Sequence, residues 1–287
     1  INNIYIFMII WLASYPKSGN TWLRSLISGL MYSDDGVFNF NYIKKIKQFP
    51  SKEFFQGFTK DLYDIHEVKK YWILAQEKIN LDNEVKFLKT HNLNCNIDNY
   101  SFSDKNNTLA TIYIVRDPRN LVNSISNHFG KSIEESKNFI LSPKVISTHK
   151  QTYSAGGEVI TYIGSWQEHF NFWTKNTENL LLIKYEDLIS DPHRELNKII
   201  NFLKKFCQVE ANENKKENLI NSTSFESLKK MEQQGHFTES VFSKNSSKKI
   251  DFFNKGPNNI WKDNLQKDIQ EEIELKLKKE MLELGYL

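Results

Sequence analysis

The sequence predicts an α/β protein with a central parallel β-sheet flanked by helices. Short apolar runs alternate with amphipathic stretches along the chain, a pattern typical of strands that are joined by crossover helices. Two of the amphipathic stretches open with Asp-Pro, at Asp117-Pro118 and Asp191-Pro192. An aspartate can cap free helical amides and proline fits the first helical position, so both pairs indicate helix starts.

The first predicted strand contains the apolar run "IYIFMIIWLA" at 4–13. The run is about half the length that spans a bilayer, and no small-residue cleavage site follows it, so we interpret it as a buried parallel strand. The later strands are placed at "VKFLKT", "LATIYIV" and "LLLIKY". The predicted strands are 4–14, 85–90, 109–115 and 180–185.

The predicted helices are the amphipathic stretches that lie between or after these strands. In chain order they are about 20–32, 118–129, 159–176, 192–207 and 263–284. Within the third of them, Trp166, Phe170 and Trp173 recur at i, i+4 and i+7, the spacing of a stripe that packs in a core. The Ser/Lys/Asn-rich segment 242–259 is too long for a simple connection and is expected to be disordered or a lid.

Composition limits the classes of protein that fit. One domain, 1–287, is expected, with Met8 as an alternative start and residues 1–7 as an upstream extension. The 38 Lys and Arg against 35 acids give a net charge of +3, too small to indicate a nucleic-acid partner. Cys95 and Cys207 lie far apart without metal-ligand spacing, which favours reduced thiols in a cytoplasmic protein with no membrane span.

The turn "YPKSGNTW" joins the first strand to the first helix and has the features of a phosphate site. Unpaired amides at the start of a helix that follows a parallel strand attract anions. Gly19 allows close approach to the backbone, Lys17 adds charge, and Ser18 and Thr21 add hydroxyl donors. A plain connecting turn would need only Gly19.

A Walker A loop requires GxxxxGK[ST], whereas Lys17 precedes the only glycine of this turn. Neither 85–90 nor 109–115 ends in a carboxylate that could hold magnesium, and Asp117 is better placed as a helix cap. A P-loop-type nucleotide kinase or hydrolase nevertheless stays open as an alternative, as does a nucleotide-binding module without catalysis.

A second strand-turn-helix unit, "IYIVRDPRNLVNSISNHF" at 112–129, follows the same logic. Arg116 leaves the strand end, and Ser124 lies about two helical turns later, so both can face one anion. Two anion sites on adjacent strands indicate a nucleotide with two separated phosphates. His91 follows another strand end and could act as a base near neutral pH.

These motifs resemble those of the sulfotransferases that use 3'-phosphoadenosine 5'-phosphosulfate (PAPS). "YPKSGNTW" is similar to their 5'-phosphosulfate loop, and "IYIVRDPRNLVNSISNHF" to their 3'-phosphate unit, including the spacing of eight between Arg and Ser. The similarity extends to "KFLKTH", "IKYEDL", "STSFESLKKM" and "FFNKGPNNIWK". It implies a P-loop-like sulfotransferase fold and in-line transfer of the sulfonyl group from PAPS to a hydroxyl or amine of a small-molecule acceptor, without a metal. The product nucleotide would be adenosine 3',5'-bisphosphate (PAP).

The resemblance also implies roles for individual residues. His91 would be the catalytic base, Lys17 would contact the bridging region between phosphate and sulfonate, and Ser124 would complete the catalytic group. The implied nucleotide-binding residues are Lys17, Ser18, Gly19, Asn20, Thr21 and Trp22 for the 5' end and adenine, Arg116, Ser124, Lys255 and Gly256 for the 3'-phosphate, and Tyr185, Thr223 and Phe225 around the base.

The chain departs from the family pattern in three places. Asn254 stands where the family often has arginine, and Asn259 and Ile260 stand where it usually has glycine and aspartate. Gln266-Lys267 replace the Thr-Val of a known dimer motif, so no oligomeric state is predicted.

The acceptor pocket is expected from 32–82 and 130–157, and its chemical class stays open. Aromatic residues of the first segment suit an apolar alcohol and a protein core equally well. They are Tyr32, Phe38, Phe40, Tyr42, Phe54, Phe55 and Phe58.

Overall fold

The computed structural model describes residues 8–146, 159–237, 241–242 and 249–287. Five strands form one sheet in which every neighbouring pair is parallel. They are β1 Ile9–Ala13, β2 Lys47–Gln48, β3 Lys86–Thr90, β4 Thr108–Val115 and β5 Leu180–Lys184. The order across the sheet is β2-β3-β1-β4-β5.

This strand order determines where a ligand can bind. The chain leaves the central β1 to build β2 and β3 on one side, then crosses to build β4 and β5 on the other. In open parallel sheets, such a reversal opens a crevice outside the carboxyl ends of the strands. The segments that follow β1, β3 and β4 therefore meet at one edge.

Helices cover both faces of the sheet. The helices of eight or more residues are α1 Asn20–Tyr32, α2 Trp72–Ile79, α3 Pro118–Phe129, α4 Ile133–Leu141, α5 Trp166–Lys175, α6 Pro192–Leu203, α7 Glu213–Ser222, α8 Phe225–Gln233 and α9 Lys267–Lys276. Alternate residues of β1 enter different cores: Trp11 packs in one buried apolar cluster, and Ile10 and Leu12 pack in the other. The predicted fold class, a parallel sheet between helices, is confirmed.

The remaining elements are short. Helices of six residues or fewer are Phe40–Ile43, Lys52–Phe55, Ile65–Val68, Tyr185–Ser190, Trp261–Asn264 and Lys278–Glu283, with 3₁₀ turns at Lys69–Tyr71, Asn80–Asp82 and Gly256–Asn258. Three antiparallel ribbons pair Asn96–Ile97 with Tyr100–Ser101, Val145–Ile146 with Thr161–Tyr162, and Val241–Phe242 with Lys249–Ile250.

Two predicted helices have the bounds that the sequence indicated, 20–32 and 118–129. The predicted Asp-Pro starts are also confirmed. Asp117 accepts a hydrogen bond from the backbone N–H of Arg119, and Asp191 accepts one from that of Arg194. The stripe in α5 is buried, as its spacing predicted.

Other predicted bounds were wrong. The predicted helix 159–176 begins only at Trp166, because Ser165 and Glu168 form a reciprocal capping box there. The helix predicted at 192–207 ends at Leu203, and 263–284 is divided between α9 and a short helix. The first strand runs from Ile9 to Ala13, and residues 4–7 of its predicted range lie outside the described residues.

Some of the predicted features fall outside the described residues. These are the extension 1–7, part of the acceptor segment 130–157 and part of the loop 242–259. Within the described residues, no helix has both the length and the apolar character needed to cross a membrane.

Candidate active site

A cleft of about 470 Å³ opens at the carboxyl edge of the sheet. Each of four strands is followed by a residue that lines it: Lys17 after β1, His91 after β3, Arg116 after β4 and Tyr185 after β5. The predicted site residues that line the cleft are Lys17, Gly19, Asn20, Thr21, Trp22, His91, Arg116, Ser124, Tyr185, Phe225, Lys255 and Gly256.

Of the predicted site residues, Ser18 and Thr223 do not line the described cleft. Both are fully buried. The Thr223 hydroxyl donates to the carbonyl oxygen of Leu219 at 2.7 Å, so it completes the end of α7. Oγ of Ser18 is buried and has no hydrogen-bond partner among the described residues.

The backbone of the first turn requires glycine at position 19. Gly19 has a φ of 101°, in the left-handed region, and a Cβ there would lie 2.5 Å from Cδ2 of Tyr185. Asn20 begins α1 and donates from Nδ2 to the carbonyl oxygen of Leu12 at 2.9 Å, which ties the helix to the end of β1. The Asn20 side chain thus braces the turn, and the first amides of α1 lie beside the cleft.

The guanidinium group of Arg116 is buried beside neutral groups. It is 6% exposed, and its Nε has no hydrogen-bond partner among the described residues. Within the described ranges, Nη1 and Nη2 donate only to the carbonyl oxygens of Lys17 and Gly256, at 3.5 and 3.4 Å. The group stacks 4.1 Å from the ring centre of Tyr185. Since a buried charge normally has a charged partner, this arrangement favours an anionic ligand.

Arg119 provides the contrast, three residues later. Its guanidinium lies 2.7 Å from the Asp117 carboxylate and 2.5 Å from that of Glu274, and it donates to the carbonyl oxygen of Tyr286 at 2.7 Å. Arg119 therefore joins α3 to the C-terminal residues, whereas Arg116 is directed to the cleft.

His91 has a defined tautomer. Its Nδ1 lies 2.7 Å from the carbonyl oxygen of Ser14, which can only accept, so the proton is on Nδ1 and Nε2 carries a lone pair. Burial, and then the nearby Lys89 ammonium, hold the pKa of His91 well below its usual value. A neutral imidazole of this kind can accept a proton from a bound hydroxyl.

His169 supports His91 from the core. Its Nε2 lies 3.2 Å from the carbonyl oxygen of His91 and its Nδ1 lies 2.9 Å from the Tyr113 hydroxyl, so Nε2 donates and Nδ1 accepts. His169 is fully buried, and burial lowers its pKa to about 3.

This depressed pKa gives a testable dependence of stability on pH. Below about pH 6.5 the unfolded chain binds a proton at His169 that the folded chain does not bind until about pH 3. The free energy of unfolding should therefore fall, by about 1.4 kcal/mol per pH unit from this residue, as pH decreases through that window. His169→Gln keeps an acceptor and a donor, so urea unfolding of this variant between pH 6 and pH 4 should show a slope shallower by that amount. Equal slopes in the two proteins would contradict the assignment.

Lys17 lies beside His128 and Phe252. Its Nζ is 3.4 Å from Nδ1 of His128 and 3.9 Å from the ring centre of Phe252. Burial, followed by the charges of Lys17 and Lys89, lowers the pKa of His128 to about 2, so its neutral ring accepts from the Lys17 ammonium. Sequence reasoning missed His128, although it lies four residues after Ser124 on the same face of α3.

The cleft has a strongly positive lining. The described lining residues include Lys17, Lys89, Arg116 and Lys255 and no carboxylate. Lys89 was also missed, although alternation along β3 places it on the same side as His91. No group of three or more His, Cys, Asp and Glu that could hold a metal ion occurs in the described part of the chain.

The aromatic residues that were considered for an acceptor pocket do not line the described cleft. Phe38, Phe40 and Phe55 are buried, and Phe38 packs against Phe40 with ring centres 5.2 Å apart. Of the segment 32–82, Gln48 reaches the cleft, and its Oε1 accepts from Nζ of Lys89 at 3.0 Å. Phe38, Phe40 and Phe55 therefore belong to the protein core.

Comparison with known proteins matches this chain to one family and to several solved structures. The family model of the Sulfotransferase domain matches residues 9–285. Luciferin sulfotransferase of Photinus pyralis is 28% identical over 228 residues, which are 77% of this chain and only 56% of that protein. Sulfotransferase 1B1 of Canis lupus familiaris is 26% identical over 278 residues, 95% of this chain and 83% of that protein.

The structural similarity concerns the fold. The crystal structure of mouse sulfotransferase SULT7A1 complexed with PAP has a TM-score of 0.60 and 22% identity, covering 96% of this chain and 84% of that one. Retinol dehydratase in complex with androsterone and inactive cofactor PAP has a TM-score of 0.59 and 17% identity, covering 95% and 80%.

Proposed function

This chain belongs to the sulfotransferase domain family, and we propose that it transfers the sulfonyl group of PAPS to a hydroxyl or amine of a small-molecule acceptor. The observation that carries the proposal is the pairing, in one cleft, of His91 and its neutral Nε2 with a positive lining that includes Lys17 and Arg116. The match over residues 9–285 and the PAP bound in the mouse structure support the same choice of nucleotide.

The described residues fit such a nucleotide. Arg116 supplies a buried charge that has no carboxylate partner in the part of the chain that the structure describes, so it is available to a 3'-phosphate. The turn around Gly19 places the start of α1 at the cleft without a side-chain cap, and the amides of an uncapped helix start suit the 5'-phosphosulfate. The rings of Trp22 and Tyr185, with centres 5.7 Å apart, and that of Phe225 supply a surface for adenine.

The reaction requires a base and a group that stabilises the leaving nucleotide. Nε2 of His91 takes the proton from the acceptor hydroxyl as its oxygen forms a bond to sulfur. The bond between sulfur and the bridging oxygen breaks, and PAP leaves with that electron pair. The Lys17 ammonium, near the developing charge on this oxygen, stabilises the transition state more than the ground state.

The experiment is an acceptor screen with PAPS labelled in its sulfonyl group. Phenols, lipid alcohols, glycans and amines are incubated with the protein, and label in the acceptor is measured together with PAP. We expect label transfer to at least one class with one PAP formed per sulfonyl transferred, and loss of transfer in the Lys17→Met variant. Binding of PAPS without transfer to any class would instead favour the nucleotide-binding module.

A further inference from the structure

Asn259 connects the segment after the 3₁₀ turn Gly256–Asn258 to α3. Its side chain is 4% exposed and lines the cleft. Its Nδ2 donates to the carbonyl oxygen of Asn120 at 2.7 Å and to Oγ of Ser124 at 3.0 Å. Both hydrogens of this amide nitrogen are therefore used, and the orientation of the side chain is fixed.

These bonds determine what the Ser124 hydroxyl can do. A serine hydroxyl has one hydrogen to donate and two lone pairs to accept, and Asn259 occupies a lone pair. The hydroxyl hydrogen can point to the carbonyl oxygen of Asn120, but that oxygen lies 3.5 Å from Oγ of Ser124, at the limit of a hydrogen bond. The hydrogen is thus available to a stronger acceptor in the cleft.

A second observation indicates where an anion would lie. The Nε–H of Arg116 is a buried donor with no hydrogen-bond partner among the described residues, and Arg116 lines the same cleft as Ser124 and Asn259. A buried donor without a partner costs stability, and an anionic acceptor would satisfy it. The Nε–H of Arg116 and the hydroxyl hydrogen of Ser124 are thus two donors that border one space.

The same segment also contacts Arg116, the residue after β4 that is predicted to bind the 3'-phosphate. Nη2 of Arg116 reaches the carbonyl oxygen of Gly256, and the backbone N–H of Trp261 donates to Oδ1 of Asn120 at 2.8 Å. Asn259 lies between these two contacts and reaches Ser124. The segment 256–261 is therefore held at both residues that would bind a 3'-phosphate.

We propose that Asn259 is a positioning residue that directs the Ser124 hydroxyl to donate to the 3'-phosphate of the nucleotide. The family usually has glycine at this position, which has no side chain to make these bonds, and arginine where this chain has Asn254. Asn259 would thus add to 3'-phosphate recognition in a chain that has Asn254 in place of the arginine that the family often has. The inference rests on the proposed function, because it assumes a nucleotide that carries a 3'-phosphate.

The test compares PAP with adenosine 5'-phosphate, which lacks the 3'-phosphate, by calorimetry on five proteins: wild type, Asn259→Ala, Ser124→Ala, the double variant, and Asn258→Ala. Asn258 is the matched control, since it is exposed and does not line the cleft. We expect Asn259→Ala to weaken PAP by about 3- to 10-fold and to leave adenosine 5'-phosphate unchanged. In the Ser124→Ala background, the same change should have no further effect on PAP.

Several results would overturn the inference, and they are distinguishable. One such result is that Asn259→Ala loses the same affinity for PAP as for adenosine 5'-phosphate, or has a lower melting temperature while the preference for PAP is unchanged. Either outcome would mean that Asn259 only holds the segment 256–261 in place. Losses that add fully in the double variant would mean that Asn259 does not act through Ser124. A wild-type protein that does not prefer PAP would remove the proposed function itself.

Discussion

Replacement of His91 by alanine is expected to lower kcat by about 10²- to 10⁴-fold while PAP affinity stays nearly unchanged. The imidazole is held by the bond from Nδ1 to the carbonyl oxygen of Ser14, which leaves Nε2 as the base. Without it, the proton of the acceptor hydroxyl must pass to water as the oxygen attacks sulfur. The measurement is kcat with an acceptor from the labelled screen, beside calorimetry with PAP.

Two further variants separate chemistry from structure. His91→Asn retains a donor near the position of Nδ1 and removes the base, so it should lose about as much turnover as His91→Ala. His193→Ala is the matched control, because the His193 side chain is 50% exposed and does not line the cleft. Full turnover in His91→Asn would remove His91 from the proton transfer.

The pH dependence of turnover follows from the same environment. Burial and the Lys89 charge keep the pKa of His91 well below 6.5, so the base is already unprotonated at neutral pH. The rate should therefore not decline until the pH is well below 6.5, and its decline on the acid side reports the protonation of this group. A decline centred at pH 6.5 or higher would contradict the buried, neutral imidazole.

The second large effect is expected at Arg116. Arg116→Ala should weaken PAP by about 10- to 100-fold, and adenosine 5'-phosphate much less, because only PAP carries the group that Arg116 would hold. Loss of a hydrogen bond to a charged group costs about 1.5 to 3 kcal/mol, which corresponds to this range. Lys255 is exposed, and Ser124 offers a neutral hydroxyl, so neither replaces the guanidinium.

Two control variants test whether the shape of the Arg116 side chain and its position in the cleft matter. Arg116→Lys keeps the charge without the planar fork and should recover part of the PAP preference. Arg194→Ala removes a half-exposed guanidinium outside the cleft and should change neither ligand. If Arg116→Ala weakens the two nucleotides equally, Arg116 supports the turn through its contact with the Lys17 carbonyl oxygen instead.

The sequence was sufficient where local chemistry decides the structure. Polar residues that follow an apolar run predicted the turn before α1, and Asp117 predicted the start of α3, because helix starts are determined by the first few side chains. The strand ends then placed Lys17, His91 and Arg116 at one edge, since parallel strands have a common carboxyl edge.

The sequence was insufficient where distant segments meet. Asn259 reaches α3 from more than 130 positions away, and no local pattern indicates that pairing. Thr223 matches the family motif, yet its hydroxyl serves the end of α7, because a motif does not report which way a side chain points. Phe38, Phe40 and Phe55 could have lined a pocket or a core, and only the packing of the sheet decides between them.

The proposed cleft ligand is a nucleotide with separate 5' and 3' phosphates, bound for sulfonyl transfer. The most direct measurement is calorimetry of the wild-type protein with PAP in the presence of EDTA, beside ATP in the presence of magnesium. The cationic lining and the arrangement of Arg116 predict that PAP binds in EDTA and does so more tightly than ATP with magnesium. Binding of ATP that depends on magnesium, with no measurable affinity for PAP, would contradict the claim and favour a kinase or hydrolase.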